Sequence, residues 1–153
     1  MTTAALVALD VAWIIGASAA VGAWAPRWPD TWLDDDRFPV CRWPAEAVDR
    51  YRRVDALAAL LPEGGRWFGG RSKTRMPGLA VADLRAHLRE VRRAEWVHWW
   101  SIGLAFALFA VNPWWLAAAM VLGAVLVNSP FILVLRRNRL RLTAAVAARS
   151  DRP

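Results

Sequence analysis

The chain is 153 residues long, enough for one domain of ordinary size. It is 57% hydrophobic yet carries a formal net charge of +7, so apolar and charged residues must be segregated along it. Its single cysteine, Cys41, excludes an intramolecular disulfide and a cysteine-rich metal site.

In chain order, the first element is residues 4–24, AALVALDVAWIIGASAAVGAW, apolar except for Asp10 and Ser18. About 20 residues at roughly 1.5 Å each cross a 30 Å hydrocarbon core, so this stretch predicts a transmembrane helix. A cleaved signal peptide is the alternative, because ASA and AWA resemble small-residue cleavage sites. The absence of Lys or Arg ahead of the apolar run, and Asp10 within it, argue for retention.

Residues 25–94 form a loop punctuated by Pro26, Pro29, Pro39, Pro44, Pro62 and Pro77. Within it, 45–61 reads as an amphipathic helix with Val48, Tyr51, Leu57, Leu60 and Leu61 on one side. LPEGGRWFGGRSK, 61–73, is a glycine-rich loop that does not match the GxxxxGK[ST] phosphate loop. Residues 80–95 predict a second helix running directly into the next apolar stretch.

That stretch is 96–111, and Asn112-Pro113 turns the chain into a third, 114–135. So short a turn makes the pair an antiparallel helical hairpin. The third stretch is expected to break near its end, at Asn128-Ser129-Pro130. Pro130 removes the donor for a carbonyl near position 126, which needs another partner. The fold expected is therefore all-α and integral to the membrane, a single unit over 1–153. It has about three transmembrane helices (one N-terminal helix and a C-terminal hairpin) and a helical, basic loop.

Of the 20 Lys and Arg residues, fourteen lie between Arg27 and Arg93 and six between Arg136 and Arg152. Three spans put loop 25–94 and tail 136–153 on one side, which the positive-inside rule makes cytoplasmic, with the N-terminus outside. Multi-pass placement in the cell membrane follows. Tryptophans cluster at the span ends, as interfacial anchors do: Trp24, Trp28 and Trp32; Trp96, Trp99 and Trp100; Trp114 and Trp115. Nucleic acid is a poor partner for a loop of mixed sign containing Asp34-Asp35-Asp36 and no recognition motif.

The chemistry gathers where charge meets the hairpin, in EVRRAEWVHWW, residues 90–100. Glu95 and His98 are three apart and share a helix face, so the carboxylate can orient the imidazole as a general base. Glu-x-x-His is also half of a carboxylate-bridged di-metal site, but a second copy and further glutamates are needed, so no metal is expected. The plainer reading pairs Glu95 with Arg92 and leaves His98 in the headgroup zone. Against it stand Asn128, Pro130 and the sequence LRRNRLRL at the same boundary. Intramembrane polar residues point to function, and arginine's planar fork suits phosphate or carboxylate better than lysine does.

The spacing E-x-x-RAE-x-x-HW, then N-x-P and RxNRxRL after a hydrophobic hairpin, resembles the glycosyl-4,4′-diaponeurosporenoate acyltransferase family. The matching residues are Glu90, Arg93, Ala94, Glu95, His98 and Trp99, then Asn128, Pro130, Arg136, Asn138, Arg139, Arg141 and Leu142. LLPEGGRWFGGRSKTRM resembles the family's middle loop, and the likeness runs from about Trp28 to Leu142. The family's tail usually reads Gln-Arg-Tyr-Asn-Arg-Pro-Arg; Leu135, Arg137 and Leu140 depart from it. The resemblance implies small membrane enzymes that acylate a sugar hydroxyl of staphyloxanthin-type carotenoids.

It implies a fatty acyl thioester as co-substrate, no cofactor, and a glycosylated lipid acceptor, in contact with membrane lipids. His98, Glu95, Asn128 and Asn138 are then the catalytic candidates, one or other asparagine as an oxyanion donor. Glu90, Arg93, Trp99, Arg136, Arg139 and Arg141 are the substrate-binding ones, with Arg139 and Arg141 on the carrier's phosphates. Self-association is compatible with this reading. The competing reading is a non-enzymatic lipid-binding subunit, or a partner in a biosynthetic complex.

Overall fold

A computed structural model describes residues 2–34 and 80–150. Every regular element among them is helical. Helix α1 spans Thr3–Trp24. Thr2 caps it, its hydroxyl accepting from the Ala5 N–H at 3.3 Å. Pro26 then draws the chain into a 3₁₀ turn, Ala25–Arg27, and the Arg27 guanidinium donates to the Ala23 carbonyl at 3.0 Å. A four-residue helix, α2 (Thr31–Asp34), follows and buries Leu33.

Helix α3, Val81–Ala105, joins the charged segment and the start of the second apolar stretch without interruption, as their adjacency predicts. Its buried Leu84, Leu88, Val91, Glu95, Ile102 and Ala105 are spaced by three, four or seven residues, forming one seam along the helix. A 3₁₀ segment, Phe106–Ala110, leads to the turn. Pro113 then starts helix α4, Trp114–Ser150, its carbonyl accepting from the Leu116 and Ala117 N–H groups at 3.0 and 3.1 Å. Helices α3 and α4 pack along their lengths as the expected hairpin, while α1 leans mainly on α3. The Trp13 indole donates to the Leu104 carbonyl at 3.3 Å, and Asn112 Nδ2 to the buried Asp10 Oδ1 at 2.9 Å.

One expectation needs correction. Helix α4 does not break at Asn128-Ser129-Pro130; it passes through Pro130 and continues to Ser150. Polar side chains bond the neighbouring carbonyls, with Ser129 Oγ donating to Val125 at 2.6 Å and Asn128 Nδ2 to Ala124 at 2.8 Å. Both bonds go to carbonyls just before Leu126, the one Pro130 leaves without its backbone donor. Among the described residues, two helical stretches are long and apolar enough on their own to cross a membrane, Thr3–Arg27 and α4. The second apolar stretch stays α-helical only to Ala105 before the 3₁₀ segment takes over.

Only 6% of the most apolar window of the first stretch, and 22% of that of α4, is buried. Core helices of a water-soluble protein would be mostly covered, so these faces suit lipid. Leu9, Val11 and Ile15 on α1 and Leu122, Leu126 and Val127 on α4 make up this outward surface. The helix expected over 45–61, the glycine-rich loop at 61–73 and Cys41 lie outside the described residues.

Candidate functional site

The α3 seam is apolar until Glu95, which takes a core position and is 2% exposed. A carboxylate there must be met by charge or hydrogen bonds, since desolvation of an unpaired ion costs several kcal/mol. The antiparallel hairpin sets the first turn of the arginine tail opposite it. Arg136 donates to Glu95 Oε1 through both Nε, at 3.1 Å, and Nη2, at 2.9 Å. Arg139 Nε stands 3.3 Å from the other oxygen, Oε2. Both guanidinium groups are themselves buried, at 4% and 3% exposure. The pairing of Glu95 with arginine is thus real, but the partners come from α4.

One turn further into the apolar region, His98 meets the same helix. Its Nδ1 lies 2.8 Å from Asn128 Oδ1, and its ring stacks on Phe131 with centroids 4.9 Å apart and planes 12° from parallel. The structure therefore gathers Glu95, His98, Asn128, Arg136 and Arg139 at one end of the hairpin, with Phe131 added. Phe131 was not anticipated: in sequence it is one more apolar residue, and its role exists only once α3 lies alongside.

Other candidates fall elsewhere. Asn138 is half-buried and Arg141 exposed. Asn138 lies ten residues beyond Asn128, about 15 Å along the helix, so the two asparagines cannot serve one oxyanion together. Glu90 and Arg93 form a second cluster at the α3–α2 contact. Arg93 pairs with Glu90 and, at 3.3 Å, with Asp30; Arg89 pairs with Asp30 at 3.5 Å and Asp34 at 3.4 Å. Arg92 caps the end of α2, donating to the Leu33 and Asp34 carbonyls at 2.7 and 2.8 Å. Asp30 and Asp34 were missed because only the fold brings residues near 30 against those near 90. Trp99 is half-buried, with a buried indole N–H that has no acceptor among the described residues.

Arg137 is buried too, although sequence marks it merely as one more tail arginine. Burial, and then the neighbouring Arg141, push its guanidinium below the usual arginine range. An arginine remains charged at neutral pH even so. Chemically the arrangement offers an imidazole fixed at Nδ1 and buried positive charge one helical turn away. It sits where an apolar bundle gives way to a cationic tail.

The family model of glycosyl-4,4′-diaponeurosporenoate acyltransferase matches residues 29–148. No curated protein and no solved structure matches the chain.

Proposed function

From the premise that this chain belongs to the glycosyl-4,4′-diaponeurosporenoate acyltransferase family, we propose that it moves a fatty acyl group from a thioester to a sugar hydroxyl of a glycosylated carotenoid at the cytoplasmic membrane face. Membership implies acyl transfer onto a glycosyl carotenoid; the donor class, the site and its side of the membrane are our reading. The observation that carries it is the convergence of His98 with Asn128, and of Glu95 with Arg136 and Arg139, at the charged end of an apolar hairpin.

In this reading α1, the apolar end of α3 with its 3₁₀ extension, and the first part of α4 cross the membrane. The N-terminus is outside, and the basic loop and tail are cytoplasmic. The acyl chain lies among lipid and the apolar helices, with its thioester carbonyl at the boundary. His98 takes the proton of the acceptor hydroxyl as its oxygen attacks that carbonyl. The tetrahedral oxyanion forms within reach of the positive charge that Glu95 fixes through Arg136 and Arg139. Collapse breaks the carbon–sulfur bond, and the imidazolium returns its proton to the departing thiolate. Exposed Arg141 meets the carrier's phosphates. Glu95 acts by holding the two arginines.

The test is turnover by purified protein in lipid, supplied with an acyl thioester and a glycosyl carotenoid. Free thiol and acylated pigment should appear together and vanish in His98→Ala. Inert wild-type protein under those conditions would favour the non-enzymatic lipid-binding reading.

A further inference from the structure

We infer that Asn128 is a positioning residue that fixes His98 as the Nδ1–H tautomer, leaving the basic lone pair on Nε2. The role assigned to His98 rests on the acyl-transfer reading above; the tautomer itself does not.

One hydrogen-bond chain links the Ala124 carbonyl, the Asn128 amide and His98 Nδ1. The Ala124 carbonyl oxygen can only accept, and an Asn128 side-chain atom lies 2.8 Å from it. That atom must therefore be the amide nitrogen, since a second oxygen there would be repelled. The orientation of the Asn128 amide follows, and its Oδ1 faces His98 Nδ1 at 2.8 Å. Oδ1 also can only accept, so Nδ1 must carry a proton. In a neutral imidazole the other nitrogen, Nε2, is then the base. Phe131, stacked nearly parallel to the ring, sets the plane in which Nε2 points. Its bond to Ala124 ties the Asn128 amide to the backbone of its own helix, two residues before Pro130.

Asn128 is thus committed at both ends, to Ala124 and to His98. This replaces the oxyanion role expected for it with one exerted through His98. Loss of the partner that orients a metal-bound histidine costs roughly ten- to a hundred-fold, and a loss of that order is expected here.

The chain has two histidines, so the inference can be read directly. Nitrogen-15 spectra of histidine-labelled His87→Gln protein in lipid at neutral pH report His98 alone. A protonated Nδ1 and a pyridine-type Nε2 are expected, and the same sample with Asn128→Ala should lose that bias. An Nε2–H tautomer or a doubly protonated ring, with Asn128 intact, would overturn the inference whether or not the alanine variant folds. Kinetics separate the two layers. Asn128→Ala should lower kcat about ten- to a hundred-fold with both KM values unchanged. If the expected tautomer is found but kcat does not fall, the positioning stands and the base role of His98 is what fails.

Discussion

Glu95 sits where spacing from Val91 and Ile102 calls for an apolar side chain, and the fold accommodates it by bringing two arginines to it. Removing its charge leaves both guanidinium groups buried without their carboxylate, and breaking such a pair costs about 3–5 kcal/mol. Glu95→Gln should therefore lower the thermal unfolding midpoint in detergent as well as the activity. An unchanged midpoint with lost activity would instead make Glu95 a direct participant in the chemistry. His98→Ala should do the reverse, losing about 10²–10⁴ in rate while the protein remains folded. At exposed Arg141, lysine keeps the charge but not the planar fork, so Arg141→Lys should raise the donor KM without changing protein level. Equal KM values would show that charge alone matters there.

Helices α1, α3 and α4 were legible because their apolar runs are long and their boundaries are marked by proline and by charge. Continuity of α3 across Ala94 was legible too, since nothing between Val81 and Ala105 interrupts a helix. The passage of α4 through Pro130 was not. Apolar helices packed against neighbours tolerate an internal proline, and composition alone leaves open which ones do. His98 and Glu95 were visible as polar residues at an apolar boundary, but their partners come from 30 and 41 residues away and only packing selects them. The same holds for Asp10 and Asn112, 102 residues apart, which tie α1 to the hairpin turn. Asn112→Ala would strip the buried Asp10 of its amide donor, at a cost of about 1–3 kcal/mol. The expected result is a lower unfolding midpoint with the Nδ1–H tautomer of His98 intact, because the contact lies near the opposite end of the bundle.

Across the whole molecule, segregated charge sets the orientation proposed here, and Cys41 can report it as the chain's only thiol. An impermeant thiol reagent should miss Cys41 in intact cells and label it in broken ones; labelling in intact cells would reverse the topology. The geometry of the hairpin has a mechanical side as well. Pro130 is the point at which α4 has lost a backbone hydrogen bond, and a helix is weakest there. Unbroken α3 grips α4 on both sides of that point, through His98 on Asn128 and through Glu95 on Arg136. It serves as a splint across a joint. Cutting either grip should let the joint flex, seen as faster hydrogen exchange in the turn after Pro130. Pro130→Ala, by restoring the missing bond, should make that turn indifferent to the same cut. The polar contacts proposed for acyl transfer would then also be what keeps α4 straight enough to carry its arginines to the site.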